Sequence, residues 1–149
     1  MRNELDKDLC ERFPKLFVNR HADMKTTAMC WGFDCGDGWY NILSVLCGSI
    51  QSHIDWRNET RERLLKDNPY NRPIPDEIEQ VVVDQVKEKF GTLRFYYHGG
   101  DDIIDGMVSM AESMSAVTCE KCGKPGYQSI GGWIVTLCKE HHEERELGK

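Results

Sequence analysis

Alternation on either side of Gly91 constrains this chain more than any other feature. From Gln80 to His98 the sequence QVVVDQVKEKFGTLRFYYH steps between apolar and polar residues, with Gly91 as the one interruption. A period of two is that of a half-buried strand, so the stretch reads as a β-hairpin. A two-residue turn at Phe90-Gly91 pairs Val86 with Phe95 and Lys87 with Arg94. One face then collects Val82, Val86, Leu93, Phe95 and Tyr97, which suits a core. The other collects Gln85, Lys87, Arg94, Tyr96 and His98. Like charges directly opposite on a sheet repel, so Lys87 against Arg94 points to an anion between them. A three-residue turn gives the ordinary alternative. Glu88 would then face Arg94 as a surface ion pair worth little, on a solvated face.

The remainder of the chain supplies helices for that hairpin. Residues 3 to 13 carry Leu5, Leu9 and Phe13 at helical spacing, and Pro14 ends the pattern. Residues 18 to 36 have no clean period and read as a loop with a short strand near Ala28–Phe33. Asp37 is placed to cap a main helix whose stripe is Trp39, Ile42, Leu43, Leu46, Ile50 and Ile54. That helix is expected to reach about Arg57, with a second piece over Glu59–Lys66. Residues 71–75 form a proline-rich extended linker. After the hairpin, Asp101 or Asp102 caps a last core helix through about Ser115. A lone hairpin with helices on one face leaves a sheet edge exposed, which a second copy of the chain would cover.

The strongest chemical signal lies near the C-terminus. Cys119-x2-Cys122 is followed, fifteen residues later, by Cys138-x2-His141. Three thiolates and an imidazole at this spacing suit tetrahedral Zn²⁺, and a four-ligand set leaves no open position for catalysis. His142 is an alternative fourth ligand. Tyr127–Ile130 and Trp133–Leu137 read as a hairpin about Gly131-Gly132, and a helix runs from Cys138 through Glu146. Knuckle, hairpin and helix in that order resemble a treble-clef zinc finger. The segment Leu137–His142 is also similar to the last knuckle of HNH nucleases. Those carry a catalytic His in the preceding hairpin, and residues 127–137 contain no His, Asp or Glu. Cys30-x4-Cys35 with His21 nearby offers a second, weaker metal pattern, and Cys30 or Cys35 with His53 a candidate catalytic pair. Cys47 fits a small core residue.

The fold class expected is therefore α+β, a small antiparallel hairpin or sheet packed on helices with a treble-clef-like zinc module. Residues 1–117 form the core and 118–149 the module packed on it. A net charge of −6 argues against nucleic acid as the main partner, while a local basic pair suits a small anion. No run approaches the roughly 20 apolar residues of a membrane span. The N-terminus lacks a signal peptide's apolar centre, and the metal-like cysteine spacing fits a reducing cytoplasm.

Two stretches, Gly36-Asp37-Gly38-Trp39-Tyr40 and Gln85–Tyr97, together resemble a broad group of phage and prophage proteins that often end in a Cys-x2-Cys knuckle. The resemblance implies a setting, a protein made in the host cytoplasm during infection, rather than an activity. In that setting the expected function is binding without catalysis. The ligand would be a small phosphorylated molecule, and sequestering a nucleotide signal of host immunity would be the purpose. Lys87 and Arg94 would neutralise phosphate, and Gln85, Tyr96 and His98 would orient the ligand under Trp39 and the 18–36 loop. Two other expectations stand beside it. One is an interaction protein that uses the zinc module and the 57–66 helix to bind a host protein or nucleic acid. The other is a hydrolase of the same ligand with His98 or His53 as base.

Overall fold

The computed structural model describes residues 1–148, and it is an α+β fold. Helix α1 (Asn3–Arg12) buries Leu9 and ends where Phe13 donates its N–H to the Leu9 carbonyl, just before Pro14. Proline lacks the N–H that a further turn would need. The chain then wraps through residues 14–32, fixed from inside by one ion pair. Arg20 Nε donates to Asp6 Oδ1 at 2.9 Å, and Arg20 Nη1 donates to the Cys30 carbonyl at 2.8 Å. The strand expected near Ala28–Phe33 is a 3-10 turn at Ala28–Trp31, and strand β1 (Phe33–Asp34) follows it.

Asp37 does not cap the main helix. A 3-10 turn at Asp37–Trp39 precedes helix α2 (Tyr40–Lys66), and the Asp37 carboxylate accepts instead from the Arg2 backbone N–H at 2.8 Å. Helix α2 is continuous over 27 residues rather than two pieces. The extended linker packs back along it. Asn58 clamps both backbone groups of Ile78, donating to its carbonyl and accepting from its N–H at 2.9 Å each.

Strands β2 (Val82–Lys89) and β3 (Thr92–His98) form the hairpin, and β1 joins β2 in parallel. The two-residue turn is the one adopted. Phe90 at φ 54° and Gly91 at φ 77° both lie in the left-handed region, as a type I′ turn requires. Val86 faces Phe95 and Lys87 faces Arg94, in the register the alternation predicts. One detail differs. A bulge between Val83 and Gln85 inserts Asp84, so Val83 rather than Val82 is the buried residue. An extra residue in one strand exchanges which side chains point inward beyond it.

Helix α3 (Asp102–Ser115) is capped as expected, with Asp101 Oδ1 accepting from Ile104 N at 3.0 Å. It lies along the free edge of β3. Leu93 N donates to Ser115 Oγ at 2.8 Å and Phe95 N to Glu112 Oε1 at 3.0 Å. Helix α3 thus satisfies part of the outer edge of β3, while β1 pairs with β2 at Phe33↔Val86 and Asp34↔Lys87. Short strands β4 (Tyr127–Gln128) and β5 (Thr136–Leu137) and helix α4 (Lys139–Leu147) complete the fold. Among the described residues no helix is long and apolar enough to cross a membrane.

Candidate metal centre and ligand-binding face

The knuckle after α3 carries Cys119 and Cys122, and α4 presents Cys138 and His141 one turn apart. Their ligand atoms all lie within 4.8 Å of one another. Cys122 Sγ is 3.8 Å from Cys138 Sγ, and His141 Nδ1 is 3.3 Å from Cys119 Sγ and 3.2 Å from Cys138 Sγ. A tetrahedron with metal–sulfur bonds of about 2.3 Å has sulfur–sulfur edges of about 3.8 Å, so the cluster already has the dimensions of a metal site. Burial opposes ionisation of the Cys119 thiol. Hydrogen bonds from the backbone at Cys138 and Cys122, with His141 beside it, nevertheless bring it down to about 6. A thiolate is the form that ligates. His142 does not join the set. Its Nε2 lies 2.9 Å from the Tyr127 carbonyl, and its ring stacks on Tyr127 at 4.3 Å.

The knuckle is built into the core through the Gly36–Trp39 segment. Gly38 N donates to the Glu120 carbonyl at 2.7 Å, Gly36 N to Glu120 Oε1 at 2.9 Å, and Trp39 Nε1 to the Thr118 carbonyl at 2.9 Å. A side chain on Gly38 would put its Cβ 2.1 Å from the Cys119 carbonyl oxygen. Close backbone approach is what these glycines allow. Trp39 is fully buried, so it is a core residue and presents no surface to a ligand, contrary to the sequence expectation. A second seam joins the module to the hairpin turn, where Thr136 Oγ1 donates to the Gly91 carbonyl and Gln128 Nε2 to the Phe90 carbonyl.

The remaining predicted ligand residues share one face of the sheet. Gln85 is opposite Tyr96, Lys87 opposite Arg94, and His98 lies at the end opposite Val82. Tyr96 and His98 are exposed, and Gln85, Lys87 and Arg94 are half-buried. Arg94 Nη1 donates to Thr92 Oγ1 at 2.8 Å and to the Leu93 carbonyl at 3.0 Å, which fixes the guanidinium. Among the described residues neither Lys87 nor Arg94 has a carboxylate within ion-pair distance. Asp34 is the parallel-register neighbour of Lys87 and moderates the charge on that side. His98 Nδ1 is 3.0 Å from Asp84 Oδ1, the residue that the bulge inserts.

Sequence reasoning missed the cleft beside Lys87. It measures about 450 Å³ and lies between the hairpin turn and the Cys/His module, with Asp34, Glu88, Lys89, Phe90 and Trp133 on its walls. The one available signal was Phe90 itself, a bulky residue at a turn position where Asn is usual.

Cys30, Cys35 and His21 do not assemble a site, since the Cys119–His141 group is the single metal-capable cluster among the described residues. Burial pushes the Cys10 and Cys35 thiols up to about 12 and raises that of Cys47, so none is a nucleophile at neutral pH. His53 bonds Asp101 at 2.9 Å at the start of α3. Comparison of the chain with protein-family models, curated proteins and solved structures finds no match.

Proposed function

We propose that this protein binds a small phosphorylated ligand bearing a planar base, on the polar face of the hairpin, and holds Zn²⁺ as a structural ion. The observation that carries the reading is the cross-strand pair Lys87–Arg94, two cations placed opposite each other with no carboxylate at ion-pair distance among the described residues, Asp34 being the neighbour of Lys87 on the β1 side. Such a pair is unfavourable alone and favourable around phosphate, which a guanidinium holds through two oxygens. Tyr96 beside it, and Phe90 and Trp133 in the adjoining cleft, offer ring faces for a base. Three thiolates and one imidazole, with no open position, favour zinc in a structural role. The phage-family resemblance of Gly36–Tyr40 and Gln85–Tyr97 supplies the setting. There, sequestering a nucleotide signal would blunt host defence.

The test is a thermal-shift screen of the zinc-loaded protein against nucleotides, cyclic oligonucleotides and NAD-derived metabolites. A ligand at one hundred times its dissociation constant stabilises by about 2.7 kcal/mol. One ligand class is expected to shift the transition. Arg94→Ala should weaken that ligand at least tenfold and flatten its salt dependence. No shift across the panel, or a shift indifferent to Arg94→Ala, would overturn the reading. The His98–Asp84 pair favours a second reading, in which His98 acts as general base on the same ligand. Product accumulating during long incubation, and abolished by His98→Gln, would select it.

A further inference from the structure

We propose that two copies of this chain pair through the exposed face of α2 and α3. The two helices run antiparallel. His53 of α2 meets Asp101 at the start of α3, while Leu46 and Ala111 line one groove further along. That groove measures about 350 Å³. Both of its walls are apolar and solvent-facing, with Val45 70% exposed on α2 and Met110 65% exposed on α3. Ile103, Met110 and Met114 continue along α3 as a single exposed ridge, since residues at these spacings share a helix face. The face therefore offers both a groove and a ridge, which is what a surface needs in order to pack against its own image.

Charge says that the occupant is a second copy. Charged residues are 30% of the chain, yet none occurs from Tyr40 to Ile54 or from Gly106 to Ala111. A twofold axis sets the same face against itself, so a face carrying charge of one sign would meet like charge. Copies that each carry −6 repel, and a neutral face is where they can touch. A basic partner would instead be met by carboxylates. No acidic residue lines the groove, and Glu112 accepts from Phe95 N and Asp105 from the Tyr97 hydroxyl, both on the hairpin side. Methionine side chains adapt to an apolar surface of their own kind.

Sedimentation of the metal-loaded full chain from low to high micromolar concentration tests this. The expected mass is twice 17.2 kDa. Val45→Glu, Val45→Lys and Met110→Glu are each expected to sediment as monomer. Mixing Val45→Glu with Val45→Lys should restore the dimer, a rescue that a folding defect would not permit. A wild type that stays monomeric overturns the proposal. So does a dimer that survives these substitutions, because it would use another face.

Discussion

Phe90 holds a left-handed backbone at the first central position of the hairpin turn. For an L residue with a side chain this costs about 1–2 kcal/mol. The ring is exposed, so packing does not offset that cost. A strained residue whose side chain lines a cleft is where the proposed ligand contact can be tested. Phe90→Asn keeps the turn and relieves the backbone. It is expected to raise stability by about 1 kcal/mol, read by denaturant unfolding, while weakening the ligand found in the thermal-shift screen. Unchanged affinity would remove Phe90 from the site. At the same scale, the Cys10, Cys35 and Cys47 thiols lack the environment of a nucleophile. Burial raises Cys10, Cys35 and Cys47, whereas Cys119 is brought down within its knuckle.

At the scale of elements, the Gly36–Tyr40 and Gln85–Tyr97 stretches are the seams on which the Cys/His module is mounted. Gly36, Gly38 and Trp39 receive Thr118–Glu120, and Gly91 receives Thr136. Gly38→Ala would force a methyl into the Cys119 carbonyl. Overpacking of this kind costs about 1–3 kcal/mol, and metal retention should fall with it. Gly106→Ala is the control, because nothing lies within 4 Å of its added carbon. There the helix should gain about 1 kcal/mol. Denaturant midpoints and bound metal compare the two variants. Had both alanines behaved alike, the seam would carry no close contact.

Much of this was legible in the sequence, because local chemistry fixes it. Alternation about Gly91 gives the hairpin and its register, the apolar stripe gives α2, and the spacing of Cys119, Cys122, Cys138 and His141 gives the metal cluster. What was not legible depends on contacts distant in sequence. The bulge at Asp84 that exchanges Val82 for Val83 leaves no composition signal. Trp39 reads equally well as a ligand clamp or a core residue until Thr118 is brought to its indole. The β1 partner of β2 is two residues long, too short for any period to show.

Across the whole molecule, the metal centre and the core are one structure. The apolar cluster around Cys119, Leu137 and Cys138 is small. A module of that size draws its folding energy from bound metal. Its knuckle in turn holds Trp39, at the centre of the large cluster that includes Leu43, Val86 and Phe95. The cleft beside Lys87 exists only while module and hairpin stay joined. Loss of metal should therefore reach both the core and the polar face of the hairpin, and it is not confined to residues 118–148.

The most direct measurement follows thermal unfolding of the metal-loaded protein, with and without a strong chelator, by near-ultraviolet circular dichroism. Zinc is quantified in the same sample. The account predicts one zinc per chain and a single cooperative transition. Chelation should shift that transition to markedly lower temperature and erase the signal of the buried Trp39. A core transition that stays in place after the zinc has left would contradict it.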